Sequence, residues 1–132
     1  MARSESEHPT ELELAILKVL WRESPLPVRE VRARLESDAN RPLAHSTVVT
    51  MLNIMHRKGF VTRRKKANAF LFSPKQQRQN VVGKMMGTFV SSVFEGSATD
   101  LVSNLLETRD LDAEELGELR KLIAKKAKEK KS

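Results

Sequence analysis

Between Ala44 and Lys66 the chain reads AHSTVVTMLNIMHRKGFVTRRKK. Ser46, Thr47, Thr50 and Asn53 supply short hydrogen-bonding side chains. Arg57, Lys58, Arg63, Arg64, Lys65 and Lys66 supply positive charge, and no acid stands among them. The acid-free run is longer still. From Asp38 to Glu95 there are ten basic side chains and no acidic one between. Hydroxyls and amides beside fixed cations can hydrogen-bond phosphate oxygens and base edges. The same stretch offers no carboxylate to act as a general base.

Other chemistries find little support. The chain has no cysteine, which removes disulfides, thiolate zinc sites and cysteine nucleophiles. His45 and His56 have no carboxylate near them in sequence, so no metal site is expected. His8 belongs to a polar N-terminal stretch and is expected to be exposed. There is no glycine-rich phosphate loop and no His–carboxylate cluster, so the chain does not read as an enzyme and no cofactor is expected. The N-terminus carries no signal-peptide core, and no apolar run approaches the roughly 20 residues of a membrane span. Together with the lack of cysteine this fits a cytoplasmic protein.

Charge divides the chain. Net charge is +7, and all of the excess lies in residues 1–80, which hold 15 Lys/Arg against 8 Asp/Glu; residues 81–132 hold nine of each. A basic part joined to a neutral part suggests one segment that binds a polyanion and one with another task.

The elements that must position these residues can be read from periodicity. Thr10 and Glu13 form a capping box before a helix over 11–23, with Leu12, Ile16, Val19 and Leu20 inward and Trp21 near its end. Two prolines in SPLPV break the chain and leave room for a short extended segment. A second helix over 28–37 carries Val28, Val31 and Leu35 on one face. A third begins near Ala44, buries Val48, Leu52 and Met55, and stops at Gly59. The period then changes to two. FVTRRKK and NAFLFSP predict two strands joined by a basic turn at Lys66–Asn68, where Asn68 takes the left-handed backbone, and Pro74 closes the second strand. From Lys75 the pattern is helical again, with caps at Ser97-x-x-Asp100 and Asp112-x-x-Glu115 and a lysine-rich end.

Three helices followed by a hairpin predict a winged helix-turn-helix, a mainly α fold with a small β wing. In that fold the third helix offers Ser46, Thr47, Val49, Thr50, Asn53 and Ile54 to the major groove. His45, Arg57, Lys58, Arg63, Arg64, Lys65 and Lys66 would meet phosphates. Some of these have a plainer reading. Ser46 or Thr47 could cap the third helix, and the Arg63–Lys66 run could be a solvated strand edge that discourages aggregation.

The stretches ELAILKVLW, STVVTMLNIMHRKGFV and AFLFSP resemble, in order and spacing, the penicillinase-repressor family of bacterial transcription regulators, the BlaI/MecI/CopY group. FVSSVFEGSATDLVSNLLETRDLDAEELGELRKLI resembles that family's dimerisation region, so the likeness spans about residues 10–125. The polar residues 1–9 read as a flexible arm, and the resemblance implies a winged-helix DNA-binding domain over 10–74 and a helical dimerisation domain over 75–132. It implies a homodimer that represses from a palindromic duplex operator. The dimer face would comprise Met86, Phe89, Val90, Val93, Phe94, Leu101, Leu105, Leu106, Leu116, Leu119 and Ile123. It also implies a membrane sensor protease as partner, with Thr88–Phe89 matching the scissile bond; relatives carry Asn where Thr88 stands. The copper-responsive branch uses cysteine pairs, which this chain lacks. Two further readings stand beside this one: a nonspecific nucleic-acid-binding protein of nucleoid type, and an adaptor whose winged helix binds protein.

Overall fold

The computed structural model describes residues 8–131. Most of the expected N-terminal arm, residues 1–7, lies outside the described residues. Of its last two residues, His8 is half-buried rather than exposed, and Pro9 is buried. The elements run α1 (Glu11–Arg22), α2 (Val28–Ala39), α3 (His45–Lys58), β1 (Val61–Lys66), β2 (Ala69–Pro74), α4 (Arg78–Val93), α5 (Ala98–Thr108) and α6 (Ala113–Lys131). Two compact units divide the chain, one through Gly87 and one from Thr88. The end of the wing at Pro74 is thus not where the first unit stops.

In the first unit the local signals act as their chemistry requires. The Thr10 hydroxyl accepts from Glu13 N–H at 3.2 Å, and Glu13 Oε1 accepts from Thr10 N–H at 2.8 Å, completing the capping box of α1. Ile16, Val19 and Leu20 are buried as their spacing demands. Leu12 is only half-buried, and Leu17 belongs to the core instead. The buried face is broader than a single stripe because α1 packs against both α2 and β2. Val31 and Leu35 from α2 and Val48, Leu52 and Met55 from α3 complete this core. Gly59 ends α3 at φ 87°, and Phe60 N–H reaches back to Met55 O at 2.9 Å. This left-handed end suits glycine, which has no Cβ to clash.

The hairpin is antiparallel, with Val61 opposite Pro74 and Lys66 opposite Ala69. Its two-residue loop places Ala67 at φ 55°. The left-handed residue is therefore Ala67, not Asn68, because the register puts Ala67 at the first loop position. The extended segment in SPLPV is present as a bridge. Leu26 and Phe72 exchange backbone hydrogen bonds at 3.0 and 2.8 Å, so β2 is flanked on both sides. Lys75 N–H to Phe60 O, at 2.9 Å, closes the base of the hairpin. The Trp21 ring N–H donates to Gln76 O at 2.9 Å and fixes the chain as it leaves the wing.

In the second unit, Ser97 Oγ accepts from Asp100 N–H at 3.0 Å and Asp112 Oδ1 accepts from Glu115 N–H at 2.9 Å. Both caps sit where the sequence puts them. No residue of 88–131 is buried. Phe89 and Phe94 pack edge to face at 5.8 Å, and large apolar side chains from Phe89 to Ile123 stay open.

Candidate nucleic-acid interface

The recognition face begins with what α3 must bury. Val48, Leu52 and Met55 are fully buried, and the helical period turns the opposite face outward. Ser46, Thr50, Asn53 and Arg57 follow there at i, i+4, i+7 and i+11. Thr47 and Ile54 stand on one shoulder of this row, His45 and Val49 on the other. His45, Ser46, Thr47, Thr50 and Arg57 are exposed, whereas Val49, Asn53 and Ile54 are half-buried.

The helix is not capped by its hydroxyls. Its N-cap is Ala44, with no side-chain cap bond. Ser46, Thr47 and Thr50 make no side-chain hydrogen bond within the described residues, so capping does not account for them. What sets the start of α3 is Arg32 on α2, whose Nε donates to Leu43 O at 2.8 Å. Sequence periodicity gives Arg32 only as a residue off the apolar stripe, because the partner is a loop carbonyl with no side-chain signature.

The cations are not equivalent. Some are tied to acids. Arg34 binds Glu30 at 2.6 Å and Glu23 at 2.7 Å; the Glu30 hydrogen bond raises its pKa above the ordinary value, and Glu23 adds to this. Arg22 lies 3.8 Å from Asp38, and Arg41 4.0 Å from Glu11. Lys58, expected to face phosphate, is in this set too. Its Nζ sits 2.9 Å from Oε2 of Glu13, which is 1% exposed. The end of α3 is thereby anchored to the start of α1. No sequence pattern finds this pair, since its members are 45 residues apart.

Arg57, Arg64, Lys65 and Lys66 form the second set, with no acidic partner among the described residues. Arg63 belongs to neither. Strand alternation puts it on the Val61 side of β1, and β1 packs on α3. Its Nη1 donates to Asn53 Oδ1 at 2.9 Å, and its guanidinium lies 4.4 Å from the Phe70 ring centre. Phe70, 39% exposed, was absent from the expected interface. A groove runs between the start of α2, α3 and the hairpin, lined by Val28, Arg29, His45, Val49, Asn53, Arg63 and Phe70. The arrangement is an outward row of hydroxyls without side-chain partners among the described residues and a half-buried amide, flanked by cations without an acidic partner there. It can bind an extended polyanion and hydrogen-bond groups between its phosphates. No described helix is long and apolar enough to cross a membrane.

The family profile described as penicillinase repressor matches residues 9–125. The penicillinase repressor of Bacillus licheniformis is 25% identical over 122 residues, covering 92% of this chain and 94% of its own. Transcriptional regulator BlaI of Mycobacterium tuberculosis (strain CDC 1551 / Oshkosh) is 30% identical over 116 residues, with 86% of this chain and 81% of the relative covered. The methicillin resistance regulatory protein MecI of Mammaliicoccus sciuri is 24% identical, with 86% and 91% covered. Among solved structures, the complex structure of hsRosR-S4 shares the fold, at TM-score 0.54 and 18% identity over 96% of each chain. With a winged helix-turn-helix on the page and a match over nearly its whole length, the chain belongs to the penicillinase-repressor family, a family of DNA-binding transcriptional repressors and not of enzymes.

Proposed function

We propose that this chain acts in the cytoplasm as a homodimer that binds a palindromic operator duplex and represses the genes beyond it. One observation carries the reading of the first unit. The row Ser46, Thr50, Asn53 and Arg57 points outward in a field with no acid, and the hydroxyls in it have no side-chain partner among the described residues. In this reading Ser46, Thr47, Thr50 and Asn53 meet base edges. Val49 and Ile54 touch thymine methyl groups from the shoulders of the helix. His45, Arg57, Arg64, Lys65 and Lys66 neutralise phosphates. Arg63 and Lys58 are engaged within the chain and leave the phosphate set.

The second unit supports the dimer. Met86 (in the preceding turn of α4), Phe89, Val93, Leu105, Leu106, Leu116 and Ile123 are all exposed, and Val102 and Leu122 join them. Val90, Phe94, Leu101 and Leu119 are only half-buried. Three helix segments without one buried side chain lack the apolar burial that folding needs. A second copy would supply it through a self-complementary face. Two recognition helices would then meet half-sites about one DNA turn, roughly 34 Å, apart. Release by a membrane sensor protease at Thr88–Phe89 fits the division of the chain, since the units part at Gly87 and Thr88. That bond lies inside α4, so cutting it requires the helix to open locally.

The test is selection of a duplex from a random pool by the full chain, followed by gel-shift competition. The expected result is an inverted repeat bound at least a hundredfold more tightly than scrambled duplex at physiological salt, in line with the roughly 10³–10⁷ ratio usual for specific binders. Equal competition by scrambled duplex would leave a nonspecific nucleic-acid-binding protein as the function. No affinity for any duplex would leave the protein adaptor.

A further inference from the structure

We infer that Arg63 is a positioning residue that fixes Asn53 as a hydrogen-bond donor, so that Asn53 selects guanine or thymine over adenine and cytosine. The inference rests on the proposed reading of α3 as the base-reading helix.

The contact starts in the core. Phe72 is 2% exposed; its backbone N–H and C=O both bond Leu26, and on its other side it pairs in register with Arg63 of β1. Phe70, two residues earlier on the same strand face, places its ring centre 6.4 Å from that of Phe72. Arg63 stands opposite Phe72 in the register, and its guanidinium lies over the Phe70 ring at 4.4 Å. A guanidinium held over an aromatic face has few orientations left. From this platform Nη1 reaches Asn53 Oδ1 at 2.9 Å.

Arginine has donors only, so the group facing it must be the amide oxygen. The Asn53 nitrogen then points elsewhere, with two N–H groups that make no hydrogen bond among the described residues. A free asparagine recognises adenine with both ends of its amide, accepting from N6 and donating to N7. Here Oδ1 is turned toward Arg63 and gives it one lone pair, so the two ends of the amide cannot meet adenine together. What remains donates, and it matches O6 and N7 of guanine or O4 of thymine. Cytosine would set only an amino donor against it, and adenine would accept at N7 but crowd its own amino donor against the amide, so both are disfavoured relative to guanine and thymine. One well-placed hydrogen bond to a base edge discriminates by about fivefold to tenfold.

The same geometry separates Arg63 from its neighbours on β1. Arg64 and Lys66 lie on the opposite strand face and carry no such partner. Removing a phosphate ligand lowers the salt slope of binding by about 0.9, whereas removing a positioning residue leaves it unchanged.

The experiment compares binding-site selection and salt slopes for the full chain, Arg63→Ala, Arg63→Lys, Asn53→Asp and Arg64→Ala. In the parent, one position of each half-site should prefer guanine or thymine by about fivefold to tenfold. Arg63→Ala should gain adenine at that position alone and keep the parent's salt slope. Arg63→Lys, which retains the charge and the fold but loses the guanidinium fork over Phe70, should shift the base preference the same way. Asn53→Asp keeps the tie to Arg63 but presents only acceptors, and should turn the preference to cytosine. Arg64→Ala should weaken all sequences evenly and reduce the slope. An unmoved base preference in both Arg63 variants overturns the inference, as does an Arg63→Ala salt slope reduced like that of Arg64→Ala. A parent that prefers no sequence at all overturns the base-reading proposal and this inference with it.

Discussion

Replacing Glu13 with alanine should be the most damaging single change to the first unit that leaves its apolar core intact. Glu13 is 1% exposed and serves two partners: Oε1 accepts from Thr10 N–H at 2.8 Å, and Oε2 meets Lys58 Nζ at 2.9 Å. Losing its half of the capping box costs about 1 kcal/mol. Losing a charged hydrogen bond costs about 1.5–3 kcal/mol when both ends are dry. The Lys58 side chain is 27% exposed, so water recovers part of that, and about 1–2 kcal/mol remains. Glu13→Ala should therefore destabilise the unit by about 2–3 kcal/mol, or about 10 °C or more in Tm for a unit of this size. Lys58→Met alone should cost a comparable amount, because it leaves a buried carboxylate unpaired. The double variant should cost less than the two singles combined, with a coupling of about 1–2 kcal/mol. Urea unfolding followed through Trp21, the chain's one tryptophan, measures all four proteins. A coupling below about 0.5 kcal/mol would show that the pair is a surface-like contact and that α1 does not anchor the end of α3. Lys58→Met should also leave the salt slope of DNA binding unchanged, since its ammonium serves Glu13 rather than a phosphate.

Thr47→Ala and Thr50→Ala should each weaken operator binding by about 1 kcal/mol, roughly fivefold, with Tm unchanged; isothermal titration and a melting curve check both halves. Gly59→Ala places a Cβ in open space but at φ 87°, so its cost is backbone strain alone, about 1–2 kcal/mol, and Gly59→Asn should cost less; equal Tm values would refute this. Leu106→Asp should turn a sedimenting dimer into a monomer while the first unit keeps its melting transition; a dimer that persists places the pairing face elsewhere. Truncation after Gly87 should leave a folded monomer with much weaker operator affinity, because the second half-site no longer binds as an intramolecular event.

The fold was legible because its determinants are local. The Thr10–Glu13 box, the Val48/Leu52/Met55 period, Gly59 and the change to period two each sit within a few residues of what they specify. The family match over residues 9–125 agrees with that outline. Turn geometry was less legible. A one-residue difference in register decides whether Ala67 or Asn68 takes positive φ, and nothing in the turn's composition favours alanine there.

The candidate site was legible as a surface but not as a set of partners. Sequence alone determined which helix faces outward, that its field is positive, and that hydroxyls and an amide sit in it, because helical period and charge are properties of neighbouring residues. It could not rank the cations, since Lys58, Arg63 and Arg64 are all basic side chains in one acid-free run. Only the tertiary structure assigned Lys58 to Glu13 on α1 and Arg63 to Asn53 and Phe70, while leaving Arg64 open. Packing decides this, because whether a charge meets an acid, an amide or solvent depends on elements brought together from distant parts of the chain.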